Sequence, residues 1–166
     1  MIELCGELLP KVFAYDARRL LLLFHAAGSI VLIGSATHHA LWMRHYLRGH
    51  FGRPALEKTY ARVVSISYVA TFGIGALLYP SYRVHVRGLY LDRFFPFYAR
   101  LFDVKEVFAS LALLLAIGLG LLSLTFRPAE EKWLLPAYAG TSFMVCAVVW
   151  MNVIAGLIIT SLRGIG

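Results

Sequence analysis

The sequence contains few cysteines and lacks several motifs of known chemistry. Its 166 residues include two cysteines, Cys5 and Cys146, which are too few and too far apart for a thiolate metal site. The CxxCH motif of covalent haem attachment is absent, and so is the GxGxxG loop of dinucleotide-binding domains. These absences exclude a disulfide scaffold, a c-type cytochrome and a Rossmann-type enzyme.

Acidic residues are also scarce. Nine Asp and Glu stand against 16 Lys and Arg, which gives a net charge of +7. The basic residues are spread over the connections between apolar runs, and they never form the block of five or six that is typical of a nucleic-acid-binding tail. We therefore expect no nucleic-acid partner, and we attribute the excess charge to anchoring against anionic lipid headgroups.

Long apolar runs are abundant. Hydrophobic residues make up 60% of the chain, more than the roughly half that is typical of soluble domains. Four runs, at about 20–43, 63–79, 104–126 and 134–162, approach the ~20 residues that cross a bilayer. The sequence therefore predicts one all-α domain over 1–166, an antiparallel bundle of four transmembrane helices.

The segment before the first run mixes charged and apolar residues around Pro10, which predicts a short N-terminal interfacial segment. No small-residue cleavage site follows a short apolar core. The first run is therefore expected to be retained as a transmembrane helix rather than removed as a signal peptide.

The first run carries two widely spaced histidines, His25 and His39. Fourteen residues of helix place them on one face, roughly 21 Å apart. The helix face between them carries mostly small side chains and includes Gly28, so that a flat group or another helix can approach closely. The alternative for His38 and His39, which are close to Arg44 in the sequence, is that they lie at the membrane–water interface and bind no ligand.

Two histidines at this spacing on one transmembrane helix, over a glycine-containing face, resemble the ligand pattern of small four-helix cytochromes of the b type. The resemblance implies haem b, with His25 and His39 each binding one iron. Each iron also needs a second axial ligand. The remaining spans contain no histidine, so His85 of the second connection or the thioether of Met151 are the candidates. A partner chain or a second copy could also supply the missing ligands.

A second group of candidates lies at the membrane face that holds the connection between spans two and three. We name this face side A and the opposite face side B. Tyr79 and Glu106 fall at a similar depth to His25 and His85 on side A, and a His, a Tyr and a carboxylate can hold and deprotonate a quinol. The alternative is a salt bridge among Arg83, Arg87 and Glu106 that ties the connection to the bundle.

These observations predict a small integral membrane subunit of a respiratory or electron-transfer assembly, in the bacterial inner membrane, that binds haem b, quinone or both. The lipid bilayer and another membrane subunit, or a second copy of the chain, are its expected partners. Two alternatives remain open: a haem-free structural or accessory subunit, and a small transporter or metal-handling protein. In each case the chain is expected to serve as a subunit rather than as a standalone enzyme.

Overall fold

The computed structural model describes residues 17–162, which form four long helices and contain no β-strand. These are α1 (Arg18–Leu47), α2 (Pro54–Ser81), α3 (Pro96–Thr125) and α4 (Leu135–Leu162). Each of them is long and apolar enough to cross a bilayer. The all-α, four-span prediction is therefore confirmed. The predicted N-terminal interfacial segment falls almost entirely outside the described residues.

Both ends of α1 and α2 and the start of α3 extend beyond the predicted spans, because these ends are polar and lie past the apolar core that hydropathy detects. α4 agrees with its predicted span within one residue. The turn after α1 is made by Gly49, whose φ of +82° suits a residue without a Cβ. Its N–H donates to the Tyr46 carbonyl at 2.9 Å. Pro54 then occupies the first turn of α2, where its missing N–H costs nothing.

The second connection, between α2 and α3, is helical over most of its length. A π-helical segment, Tyr82–Leu91, continues α2 directly and is followed by a single helical turn, Asp92–Phe94. Pro80 lies just before the change in helix type. Because proline has no N–H and its ring crowds the preceding turn, the regular hydrogen-bond ladder cannot continue unchanged at this point.

A salt bridge ties the π-helical segment to α3. The Arg87 guanidinium bonds both carboxylate oxygens of Asp103 and lies 3.6 Å from Asp92. The expected bridge from Arg87 to Glu106 is therefore wrong, because Asp103, one turn earlier on α3, is the acid within reach.

The four helices form a closed ring. Each packs against its neighbours in the chain, and α4 packs back against α1, so that α1 lies diagonally opposite α3 and α2 opposite α4. Glycines allow two of these close approaches. A Cβ on Gly28 would lie 2.7 Å from Thr71 Oγ1, and a Cβ on Gly120 would lie 2.5 Å from Ser65 Oγ.

Large apolar side chains remain exposed along every helix of the bundle, among them Ile30, Ile66, Leu114 and Leu157. A soluble protein seldom exposes apolar surface this extensive. Lipid chains accept such surface readily, so the outer face of the bundle fits a bilayer. The chain is therefore an integral membrane protein, and lipid is its immediate environment.

Candidate functional site

A buried polar cluster lies in the side-B half of the bundle. We name it the side-B cluster; its members are His39 on α1, Glu57 on α2, and Tyr138 and Ser142 on α4, all at most 2% exposed. His39 Nε2 lies 3.0 Å from Glu57 Oε1, and the Tyr138 hydroxyl donates to the same oxygen at 2.7 Å. His39 Nδ1 lies 2.7 Å from the Ser142 hydroxyl. Three helices therefore meet in one hydrogen-bonded network.

The bond from Tyr138 to Glu57 crosses the centre of the bundle, since α2 and α4 are diagonal neighbours. Burial of a carboxylate is costly unless hydrogen bonds satisfy it, and here two donors share one oxygen. Local helix structure helps as well, because Glu57 lies in the first turn of α2, where the helix dipole favours a negative charge.

His39 does not have the geometry of a haem ligand in this arrangement. Glu57 and Ser142 occupy both of its ring nitrogens, and its side chain is fully buried. It is also not the interfacial residue that the sequence left open. His38, in contrast, is exposed, and its ring stacks on Tyr60 with centroids 5.3 Å apart.

Sequence reasoning did not find Glu57. A usable signal was present in the hairpin geometry. Residues equally far from the turn of an antiparallel helical hairpin lie at the same level, and His39 and Glu57 are equally far from Arg48. The same register pairs His25 with Thr71, whose carbonyl lies 3.1 Å from His25 Nδ1.

A second polar region, in the side-A half, includes His25 and Lys105. The His25 ring fits beside α2 because Gly75 leaves room for it; a Cβ there would lie 3.3 Å from the ring. The Lys105 ammonium is close enough for its charge to act on His25. Since α1 and α3 are diagonal, these two side chains meet through the interior of the bundle.

Aromatic rings surround Lys105. Its Nζ lies 5.2 Å from the Phe102 ring centroid, a cation–π distance. Phe102 stacks on Tyr82 with centroids 4.0 Å apart and lies 6.3 Å from Tyr79. The lysine stem passes α4 at Gly156, where a Cβ would lie 3.9 Å from Lys105 Cε.

Several buried polar oxygens in this half lack a hydrogen-bond partner within residues 17–162. They are Thr71 Oγ1, Ser81 Oγ, the Tyr82 hydroxyl and Asn152 Oδ1. The Asn152 amide donates to the Val148 carbonyl of its own helix at 2.9 Å, which leaves its Oδ1 without a partner. Unsatisfied buried polar groups are rare in proteins and call for an explanation. We name five residues the side-A group: His25, Thr71, Tyr82, Lys105 and Asn152. Asn152 belongs to it because it lies one turn from Gly156, beside the Lys105 stem.

The remaining candidates of the sequence analysis lie apart from one another. His85 Nδ1 donates to the Ser81 carbonyl at 3.1 Å, which is ten residues, or roughly 15 Å of helix, from the Thr71 carbonyl that holds His25. The structure therefore does not bring His25 and His85 to one level. Met151 packs against the main hydrophobic core.

Glu106 is only partly buried, and its nearest charges are Lys105, Asp103, Arg87 and Arg83. It lies at the rim of the side-A group. Within residues 17–162, no three His, Cys, Asp or Glu side chains come together as a metal-binding set.

The fold and its polar groups define an integral membrane four-helix bundle with ionisable side chains in its interior. Comparisons with protein-family models, with curated proteins and with solved structures gave no match.

Proposed function

We propose that the chain is a small membrane subunit of an electron-transfer assembly and that its side-A group binds the headgroup of a quinone. One observation carries the proposal: buried oxygens without hydrogen-bond partners are gathered in the half of the bundle that also contains His25 and Lys105. Ionisable residues inside a membrane protein are expensive and usually functional. A polar ligand that enters from the lipid would satisfy both sets of groups.

The chemistry of a quinone suits these side chains. Its two carbonyl oxygens accept hydrogen bonds, which the Lys105 ammonium and the Tyr82 hydroxyl can donate. The stacked rings of Tyr82 and Phe102 offer a flat apolar contact for the quinone ring. Reduction to the quinol adds two electrons and two protons, and a quinol hydroxyl can then donate to Asn152 Oδ1, one turn from Gly156. The electrons come from a redox centre of a partner subunit, and the bacterial inner membrane provides the quinone pool.

Quinone content of the purified chain tests this proposal. We expect the chain, reconstituted with a long-chain ubiquinone and repurified in mild detergent, to retain about one quinone per chain after solvent extraction. Lys105→Met should lose most of this quinone because it removes the strongest hydrogen-bond donor. Tyr82→Phe, which keeps the ring and removes the hydroxyl, should lose part of it.

Lys58→Met is the matched control, because it removes a lysine at the opposite end of the bundle. Its quinone content should equal that of the unmodified chain. If the unmodified chain retains no quinone, or if all three variants retain the same amount, the quinone proposal is wrong and the accessory-subunit alternative is favoured.

Haem b is a second candidate ligand, which one observation supports at His25. Nδ1 of His25 donates to the Thr71 carbonyl, as metal-bound histidines commonly do, and Nε2 remains for an iron. The second axial ligand would come from a partner chain. We expect haem of this kind to give a sharp reduced α band in the visible spectrum, which His25→Ala abolishes and His38→Ala preserves. An α band that survives in the His25 variant would rule out this ligand.

A further inference from the structure

The hydrogen bonds of the side-B cluster fit two protonation states of His39. With Nε2 donating to Glu57, a neutral imidazole accepts at Nδ1 from the Ser142 hydroxyl. A protonated imidazole instead donates from Nδ1 to the same Ser142 oxygen, because a hydroxyl can act in either sense. The heavy atoms need not move, and the distance of 2.7 Å suits both states.

A water-accessible cleft lies directly beside this cluster. It has a volume of about 270 Å³ and opens on side B, between the turn after α1 and the turn after α3. Tyr46 and Lys58 line it, and Lys58 follows Glu57 in the chain. The Tyr46 ring is buried and close enough to interact electrostatically with Glu57 and Tyr138, so that Tyr46 connects the wall of the cleft to the cluster.

We infer that the side-B cluster is a proton-binding site that exchanges protons with water through this cleft. One proton passes from hydronium in the cleft to the His39–Glu57 pair, whose net charge rises by one, and water is left behind. Tyr138 keeps its proton, Ser142 changes from donor to acceptor, and no electrons move. The inference stands on the side-B geometry alone and does not depend on a quinone at side A.

The charged and titratable groups around the His39–Glu57 pair determine how readily it binds a proton. On α1, Tyr46 and His39 itself face Glu57, and on α4 the titratable group is Tyr138. The end of α3 contributes Phe126, which packs on Tyr138 without a charge. Beyond it Arg127 lines the cleft and pairs with Glu130 at 3.2 Å. The only acid in direct contact with His39, among the described residues, is therefore Glu57.

Nitrogen NMR of the histidine side chains tests the inference on the full chain in detergent micelles. We expect the His39 signals to convert from the neutral form, with a proton on Nε2, to the doubly protonated form as the pH is lowered. Glu57→Gln should abolish this conversion, because it removes the negative charge that accompanies the added proton. Glu130→Gln, an acid on the wall of the same cleft, should leave the conversion intact.

The signal of exposed His38 in the same spectra is the internal reference, and circular dichroism reports whether each variant is folded. If Glu57→Gln fails to fold, Ser142→Ala takes its place, since it removes the acceptor for the second proton and should also abolish the conversion. A His39 signal that stays unchanged in the unmodified chain while His38 titrates would overturn the inference.

The route through the cleft has its own measurement. Ala129 is exposed on the cleft wall, and a bulky maleimide on Ala129→Cys, in a chain with Cys5 and Cys146 replaced by Ala, should slow the hydrogen–deuterium exchange of His39 at least tenfold. The same label on Arg93→Cys, at side A, should leave the exchange rate unchanged. Equal rates for the two labelled chains would contradict entry through the cleft.

Discussion

Replacement of His39 by alanine should destabilise the chain by about 1–3 kcal/mol, the cost of leaving a buried hydrogen-bonding group without its partner. Both ring nitrogens are hydrogen-bonded in the folded state, so the change leaves the Ser142 hydroxyl without its partner and leaves Glu57 with the Tyr138 hydroxyl alone. The fraction of helix retained during unfolding in increasing SDS, followed by circular dichroism, measures the loss.

His38→Ala is a closely matched control, because the two histidines are adjacent on α1. The exposed His38 ring bonds only the Gly34 carbonyl of its own helix and stacks on Tyr60. Its replacement should change the stability by no more than about 0.5 kcal/mol, as is usual at exposed positions. Equal losses in the two variants would show that the side-B cluster contributes no stability of its own.

Replacement of Gly120 by alanine should destabilise the bundle by about 1–3 kcal/mol, the usual penalty for overpacking. The added Cβ would lie 2.5 Å from Ser65 Oγ and 2.6 Å from Ser65 Cβ. Rotation of the serine hydroxyl relieves only the first of these contacts, so α2 and α3 have to separate. The same SDS unfolding experiment measures the effect.

Gly118 on the same helix provides the comparison, because a Cβ there has no atom within 4 Å. Gly118→Ala should stabilise the chain by up to about 1 kcal/mol, since alanine favours helix over glycine. Opposite signs for the two alanines are therefore expected. If both variants gained stability, α2 and α3 would not approach as closely at Ser65 as the structure has them.

The sequence predicted the four spans because transmembrane helices carry their signal in composition. The close approach of a second helix along the small face of α1 was also predictable, and Thr71 packs there against Gly28. Hydropathy could not place the helix ends, since polar first turns such as the one that holds Glu57 contribute little to an apolar window. The helical form of the second connection was equally hidden, because π-helices have no composition of their own.

The site was less predictable than the fold. Helix geometry alone gives the face of α1 that His25 and His39 share and the distance between them. Their hydrogen-bond partners depend on how the other helices pack, which the sequence does not show. Spans two to four contain no histidine, so the sequence analysis looked for missing haem ligands rather than for other partners. The structure instead gives His39 a carboxylate and a hydroxyl from two neighbouring helices, and it gives His25 a backbone carbonyl, which no side-chain pattern reveals.

The continuous helix that joins α2 to the π-helical segment has a consequence for the shape of the protein in a membrane. It runs for 41 residues, from Pro54 to Phe94, roughly 60 Å at the α-helical rise, whereas a bilayer with its headgroups is about 40–45 Å thick. α1 and α4, with 30 and 28 residues, are close to that thickness. The π-helical part of this helix packs with residues of α3 and α4, since Tyr82, Val86 and Leu91 are buried against them. The excess length therefore thickens the bundle at side A instead of projecting from it as a lone helix.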